Sequence, residues 1–316
     1  MDLLQPQHRI YVAGHSGLVG SAIWRALAAA GYDNLIGRRS GELDLRDHDA
    51  VDAFIQRHQP DAVVLAAAKV GGIAANSEHP VEFISDNLRI QTAVLDAALK
   101  HRIPRVLFLG SSCIYPKLAA QPINEDALLT GPLEPTNRAY ALAKIAGIVQ
   151  VQSVRSEYGL PWISAMPTNL YGPGDNFDPE HSHVLPGLLR RFDEAARSGA
   201  TEVVVWGTGS PRREFLHVDD LAEACVHLLR HYNDDTAINV GTGVDVTIKE
   251  LAKNIAAVTG FTGSIVWDTS RPDGTPRKLL DVSRIKETGW SARISLDEGL
   301  ASTYQWYESH RENLRG

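Results

Sequence analysis

The chain has 316 residues, enough to bury a full core as one large domain or two unequal ones. Its 31 Lys and Arg against 38 Asp and Glu give a net charge of −7 with His neutral, which argues against nucleic acid as a partner but leaves room for a few Arg gathered around an anionic small ligand. Two Cys, Cys113 and Cys225, make no disulfide framework, residues 1–9 lack the apolar run of a signal peptide, and no apolar run is long enough to span a bilayer, so a soluble, cytoplasmic protein with no membrane partner is expected.

In chain order, residues 9–13 read as a strand and 17–30 as a helix. A short second strand falls at 34–37, a helix at 51–58 and a buried strand at 61–67. A long helix covers 83–100, followed by a strand at 105–110, a helix at 140–158 and a strand at 162–166. This alternation predicts an α/β fold: a Rossmann doubly wound parallel sheet. After Pro167 the pattern loosens. Residues 170–180 are rich in Gly, Pro, Asp and Asn and read as loop, 183–198 as helix, 202–206 as strand and 207–213 as turn. A helix at 218–231 starts at the Asp219-Asp220 pair, a strand follows at 237–240, and 247–259 is amphipathic. The expected division is a nucleotide-binding domain over 1–170, with 214–244 returning to it. A smaller, discontinuous α/β substrate domain then takes mainly 171–213 and 245–316.

Between the first strand and the first helix stands Gly14-His15-Ser16-Gly17-Leu18-Val19-Gly20. Gly14 permits a sharp exit from the strand, Gly17 a close approach of backbone to a pyrophosphate, and Gly20 close packing of the helix, whose N-terminus offers N–H donors to the anion. The spacing is G-x-x-G-x-x-G rather than G-x-G-x-x-G. After the second strand an acid for a ribose 2′-hydroxyl is missing, and Arg38-Arg39-Ser40 stands in its place. Guanidinium groups suit a 2′-phosphate, so NADP(H) is the expected cofactor, although exposed Arg is also ordinary surface. Asp44 is a candidate for the adenine or a surface acid. The His residues are scattered without ligand spacing, so no metal is expected.

Tyr140-Ala141-Leu142-Ala143-Lys144 puts a phenol and an ammonium one helical turn apart, where the cation is expected to lower the phenol's pKa. Tyr-x-x-x-Lys alone is common by chance. Ser111, at the end of a predicted strand, lifts the pair, because its hydroxyl could reach the same substrate oxygen. With the Gly-rich turn, these residues resemble the extended short-chain dehydrogenase/reductase family over nearly the whole chain. In the family's 4,6-dehydratases the two positions after the Ser are Asp and Glu; here they are Ser112 and Cys113, so that elimination lacks its acid. Cys113 is either a packed, inert thiol or a base acting beside a ketone.

Further strings extend the resemblance: Gly110-Ser111-Ser112-Cys113-Ile114-Tyr115-Pro116-Lys117, Leu133-Glu134-Pro135-Thr136-Asn137, Met166-Pro167-Thr168-Asn169-Leu170, His181-Ser182-His183-Val184, Arg213-Glu214-Phe215 and Pro272-Asp273-Gly274-Thr275-Pro276-Arg277-Lys278. The ordered set is similar to the branch of the family that epimerises and reduces 4-keto GDP-sugars. That resemblance implies NADPH-dependent inversion at carbons 3 and 5 of GDP-4-keto-6-deoxy-D-mannose, then reduction at carbon 4 to GDP-L-fucose. It implies Cys113 as base, His183 as acid, and Tyr140 supported by Lys144 and Ser111. Cofactor contacts are implied at Gly14 to Gly20, Arg38, Arg39, Asp44, Lys144, Pro167, Asn169, Leu170 and His183. Substrate contacts are implied at Arg191, Trp206, Arg213 and Asp273. Which of Arg190 and Arg191 faces the diphosphate stays open, and Lys278 adds charge there or is a solvated surface Lys. A homodimer formed through a helix bundle is also implied. The competing readings are a 4-epimerase, a plain 4-ketoreductase and a non-catalytic NADP sensor.

Overall fold

Short, mostly apolar runs pair in parallel at the centre of the molecule. In a computed structural model, which describes residues 3–179, 182–271 and 273–314, they are β1 (Ile10–Ala13), β2 (Leu35–Ile36), β3 (Ala62–Leu65), β4 (Arg105–Leu109) and β5 (Ile163–Pro167). Ile238–Val240, numbered β9 in chain order, completes a six-stranded sheet of order β2-β1-β3-β4-β5-β9. Glu180, His181 and Pro272, in stretches read above, lie outside the described residues, as do residues 1, 2, 315 and 316. Every residue of β1, β3, β4, β5 and β9 is buried, as expected of a parallel sheet covered on both faces.

The helices are α1 (Leu18–Ala29), α2 (His48–His58), α3 (Ile73–Glu78), α4 (Pro80–Lys100), α5 (Arg138–Tyr158), α6 (Val184–Ser198), α7 (Val218–His231), α8 (Ile248–Thr259), α9 (Ser283–Glu287) and α10 (Leu296–His310). α1 packs against α7, while α2, α4 and α5 are successive neighbours. Because the chain runs outward from β1 in opposite directions, right-handed crossovers place α1 on one face of the sheet and α2, α4 and α5 on the other; α7, although it leads outward into β9, packs with α1 instead. The order reverses between β1 and β3, and the crevice at their carboxyl ends is where such sheets hold ligands. Among the described residues no helix is long and apolar enough to cross a membrane.

A second layer follows. β7 (Glu202–Trp206) pairs with β11 (Ser264–Asp268), and β8 (Arg212–His217) pairs with β6 (Asn169–Tyr171), β10 (Asp245–Thr247) and β12 (Arg277–Lys278). α8 and α10 start on capping boxes, Thr247 with Glu250 and Ser295 with Glu298. The expected turn at 207–213 and loop at 170–180 both give up residues to strands, β8 and β6. β8 hides from a hydrophobic pattern because its first three residues are Arg212, Arg213 and Glu214. Glu214 is nonetheless fully buried, its carboxylate accepting the amides of Thr242, Gly243 and Leu280. Further along, Phe215 joins the core of the second layer and Leu216 that of the first, so alternate side chains of one strand serve both.

Candidate functional site

The turn after β1 is built by backbone. Gly14 has φ +88°, and a Cβ there would lie 2.7 Å from the amide nitrogen of Ala67 just beyond β3. A Cβ on Gly20 would come within 2.1 Å of the Gly14 carbonyl oxygen, so Gly20 lets α1 close on the turn itself rather than on the sheet. Gly17, the N-cap of α1, meets nothing nearer than 3.5 Å, and with Ser16 it is exposed. α1 has no side-chain cap and no acid in its first turn. The amides of Leu18, Val19 and Gly20 therefore lack partners within the helix and face the crevice end of the sheet. The His15 ring lies 5.5 Å from that of Trp24, and its Nδ1 is buried without a hydrogen-bond partner.

The two arginines differ. Arg38 donates to the Gly37 carbonyl (2.7 Å) and packs 5.6 Å over Phe54, while Arg39 is exposed and engaged only through its backbone, its amide donating to Glu42 and its carbonyl accepting from the amides of Glu42 and Leu43. Asp44 accepts four bonds from Arg46, which hold its carboxyl down at about 2. Unpartnered helix-terminal amides, an open glycine cap and a free guanidinium fit a dinucleotide carrying an extra phosphate.

Where β4 ends, Gly110 leads into Ser111, whose Oγ accepts the Cys113 amide at 3.4 Å, and residues 112–114 make one tight turn that buries Cys113. On α5, Lys144 is buried and donates from Nζ to the Leu109 carbonyl (2.7 Å). Its ammonium stands 4.9 Å over the Phe108 ring and 5.8 Å over that of Tyr140. Tyr140 also meets Phe83 edge-on at 6.4 Å. The expectation that Lys144 lowers the phenol's pKa is overturned for the chain without ligand. Burial, with Cys113 beside it, pushes the Tyr140 phenol up, because Lys144 faces the ring and the Leu109 carbonyl rather than the hydroxyl. Burial in turn pushes Lys144 down to about 8. The Cys113 thiol is pushed up by burial, against the pull of Lys278, Ser111 and Lys144. His183 is the N-cap of α6 without a capping bond, and dehydration by its surroundings pushes its pKa down. No hydrogen bond or ion pair among the described residues joins it to the Ser111, Cys113, Tyr140 and Lys144 cluster.

Pro167 ends β5, and Asn169 and Leu170 lie in β6, with the Asn169 amide donating to the Glu214 carbonyl (2.7 Å). On α6, Arg190 is held by Glu194 and the Phe177 carbonyl, whereas Arg191 reaches across to the Val204 carbonyl of β7 at 2.9 Å. Trp206, at the end of β7, is 60% exposed, with the Arg271 guanidinium 4.9 Å from its ring. Arg213 donates to its neighbour's carbonyl and is lowered by burial. Asp273 is tied to Thr208 by the amide (2.7 Å) and the hydroxyl (2.8 Å).

Lys278 corrects the solvated-surface reading: it walls a small cavity together with Cys113, Lys117, Glu134, Thr275 and Arg277. Sequence reasoning gave Glu134 and Lys117 no role, although both stood in the quoted strings. They form an ion pair of 3.0 Å at the cavity's edge. A more open hollow of about 430 Å³, lined by Thr242, Lys286 and Trp290, holds none of the predicted residues.

Residues 10–241 match the NAD dependent epimerase/dehydratase family. The chain is 61% identical over 95% of its length to a probable GDP-L-fucose synthase 1 of Oryza sativa subsp. japonica, 92% of which is covered. It is 53% identical over 98% of its length to the GDP-L-fucose synthase of Escherichia coli (strain K12), covering 99% of that protein. Among solved structures, a GDP-L-fucose synthetase from Naegleria fowleri bound to NADP superposes with a TM-score of 0.90 at 28% identity, over 99% of this chain and 98% of that one.

Proposed function

From the premise that the chain belongs to the NAD dependent epimerase/dehydratase family, we propose that it epimerises carbons 3 and 5 of GDP-4-keto-6-deoxy-D-mannose and reduces carbon 4, giving GDP-L-fucose at the expense of NADPH. The observation that carries this reading is Cys113, a thiol buried beside Tyr140 at the end of β4, in a chain whose relatives carry the GDP-L-fucose synthase name. A 4-ketone acidifies the hydrogens on both flanking carbons, so one base and one acid serve both inversions. Cys113 as thiolate removes each proton, Tyr140 donates a hydrogen bond to the enolate oxygen, and His183 returns a proton on the other face. After the second inversion Tyr140 gives its proton to the alkoxide at carbon 4, and Lys144 and Ser111 hold it in place. A raised thiol and a lowered imidazole make proton exchange bell-shaped in pH, falling on the acid side as Cys113 is protonated and on the alkaline side as His183 loses its proton.

Bound NADPH would supply the hydride. The amides of residues 18–20 would hold its pyrophosphate, Arg39 with Arg38 would hold its 2′-phosphate, and Asp44 would serve its adenine. Arg191 and Arg213 take the diphosphate of the GDP-sugar, Trp206 stacks on the base and Asp273 bonds the nucleotide or sugar. Residues 1–170 with 214–244 then serve the cofactor, and 171–213 with 245–316 mainly the substrate, although α9 packs back on β9. Two such chains pair through α4 and α5, where Leu142 and Val149 lie exposed two turns apart; a single-chain mass in solution would refute that pairing.

The test is incubation with the 4-keto GDP-sugar and NADPH in heavy water. NADPH oxidation with deuterium at carbons 3 and 5 is expected. Oxidation without label would leave a plain 4-ketoreductase, and no turnover with this sugar would overturn the substrate assignment.

A further inference from the structure

We propose that Lys278 is the positioning cation of Cys113, an ammonium held in the cavity wall that favours the thiolate against burial in the free protein. The inference rests on the reading of Cys113 as a base. β12 pairs with β8 in a register that sets Lys278 opposite Arg213, and that pairing brings Lys278 into the wall of the small cavity that Cys113 also lines.

The other charged groups facing this space are already engaged. Glu134 is paired with Lys117 and accepts the Thr275 hydroxyl, and Arg277 is bound to Asp245. Arg213 donates to the Arg212 carbonyl, and Lys144 to the Leu109 carbonyl behind Tyr140. Lys278 alone among them donates no hydrogen bond and makes no ion pair with a described residue. An ammonium set among protein groups is costly unless an anion is free to face it, and the carboxylate that acts on Lys278, Glu134, is already paired with Lys117. Among the described lining residues, only the Cys113 thiol can become an anion that no other cation already holds, since the Tyr115 hydroxyl is committed to Asn239. The electrostatics agree: of the influences that oppose burial at Cys113, Lys278 is the largest, ahead of the Ser111 hydroxyl and Lys144. In return Cys113 opposes the lowering of Lys278 by burial.

The experiment is alkylation of Cys113 by iodoacetamide as a function of pH in the ligand-free protein, followed peptide by peptide so that buried Cys225 is counted separately. In Lys278→Met the midpoint should rise by about one pH unit, with alkylation ~10-fold slower below it. Lys278→Arg should restore the wild-type midpoint, and Lys278→Gln, which keeps a polar end in the cavity, should behave as Lys278→Met does. NADPH binding by each variant reports that the fold is intact. An unmoved midpoint in the neutral variants overturns the proposal. If it is accompanied by a raised KM for the GDP-sugar, Lys278 is a diphosphate ligand instead. No substrate enters this measurement, so it stands apart from the proposed reaction. A shifted midpoint in a protein that never labels carbons 3 and 5 would keep the Lys278–Cys113 contact and discard the epimerase reading.

Discussion

The two ends of the site are made differently. At the carboxyl end of β1 the chain offers backbone: three glycines, the free amides of α1 and a capless N-terminus, all within residues 14–20. At the end of β4 it offers side chains: Ser111 and Cys113 from one turn, Tyr140 and Lys144 from α5, and Arg213 and Lys278 from adjacent strands of the second layer. A backbone site tolerates changes of side chain but not an added Cβ. A side-chain site tolerates small shifts of backbone but not the loss of one polar atom. Substitutions at the two ends should therefore fail in different ways, and the sharpest contrast lies at Tyr140.

Tyr140→Phe deletes one oxygen and leaves the ring against Phe83 and under the Lys144 ammonium. NADPH oxidation should fall roughly 1,000-fold, within the range for loss of a general acid. NADPH affinity, read by quenching of protein fluorescence, should stay within about two-fold of wild type, since the cofactor end is untouched. A Tyr140→Phe variant that turned over at more than a tenth of the wild-type rate would remove Tyr140 from the chemistry.

The same division explains what could be read from the sequence. Residues 14–20 are contiguous, their glycines are punctuation, and the strands around them are unbroken apolar runs, so the turn, the sheet class and most helices were legible. Tyr140 and Lys144 were legible because helical spacing fixes their common face. β8 and β12 were not. They open on or consist of charged residues, and Glu214 is buried only because three amides from other segments converge on it. Lys278 could be read as a site cation or as a surface Lys, because nothing local announces the strand pairing that carries it into the cavity beside Cys113. The error about the Tyr140 pKa has the same origin. Spacing shows that two side chains share a face, but not that the ammonium is turned toward a carbonyl on a different strand.

A pair of substitutions breaks the cofactor end into its two kinds of glycine. Gly20→Ala drives a Cβ into the Gly14 carbonyl, and rigid backbone has nowhere to move. It should cost about 1–3 kcal/mol, visible as a melting temperature lower by several degrees, and should weaken NADPH as well. Gly17→Ala places its Cβ in ordinary contact with the protein, 3.5 Å from the nearest atom. Its melting temperature should stay within about two degrees of wild type, while NADPH binding weakens about ten-fold, because that Cβ intrudes where a pyrophosphate would approach. Equal thermal losses in both variants would mean that Gly17 serves the turn and not a ligand.

Arg39→Ala gives the smallest expected effect and asks the most selective question. The Arg39 side chain is exposed and bound to no described residue, so its removal should leave the melting temperature unchanged. A charge-assisted bond to a 2′-phosphate contributes about 1.5–3 kcal/mol, so NADPH should weaken by about ten-fold or more while NADH binding does not move. Arg38→Ala should behave differently. That guanidinium packs over Phe54 and donates to the Gly37 carbonyl, so its loss should lower the melting temperature and weaken both cofactors together. If Arg38→Ala alone erased the preference for NADPH, the exposed guanidinium would be surface and the packed one the phosphate ligand. The cofactor end would then depend on a braced side chain, as the other end does.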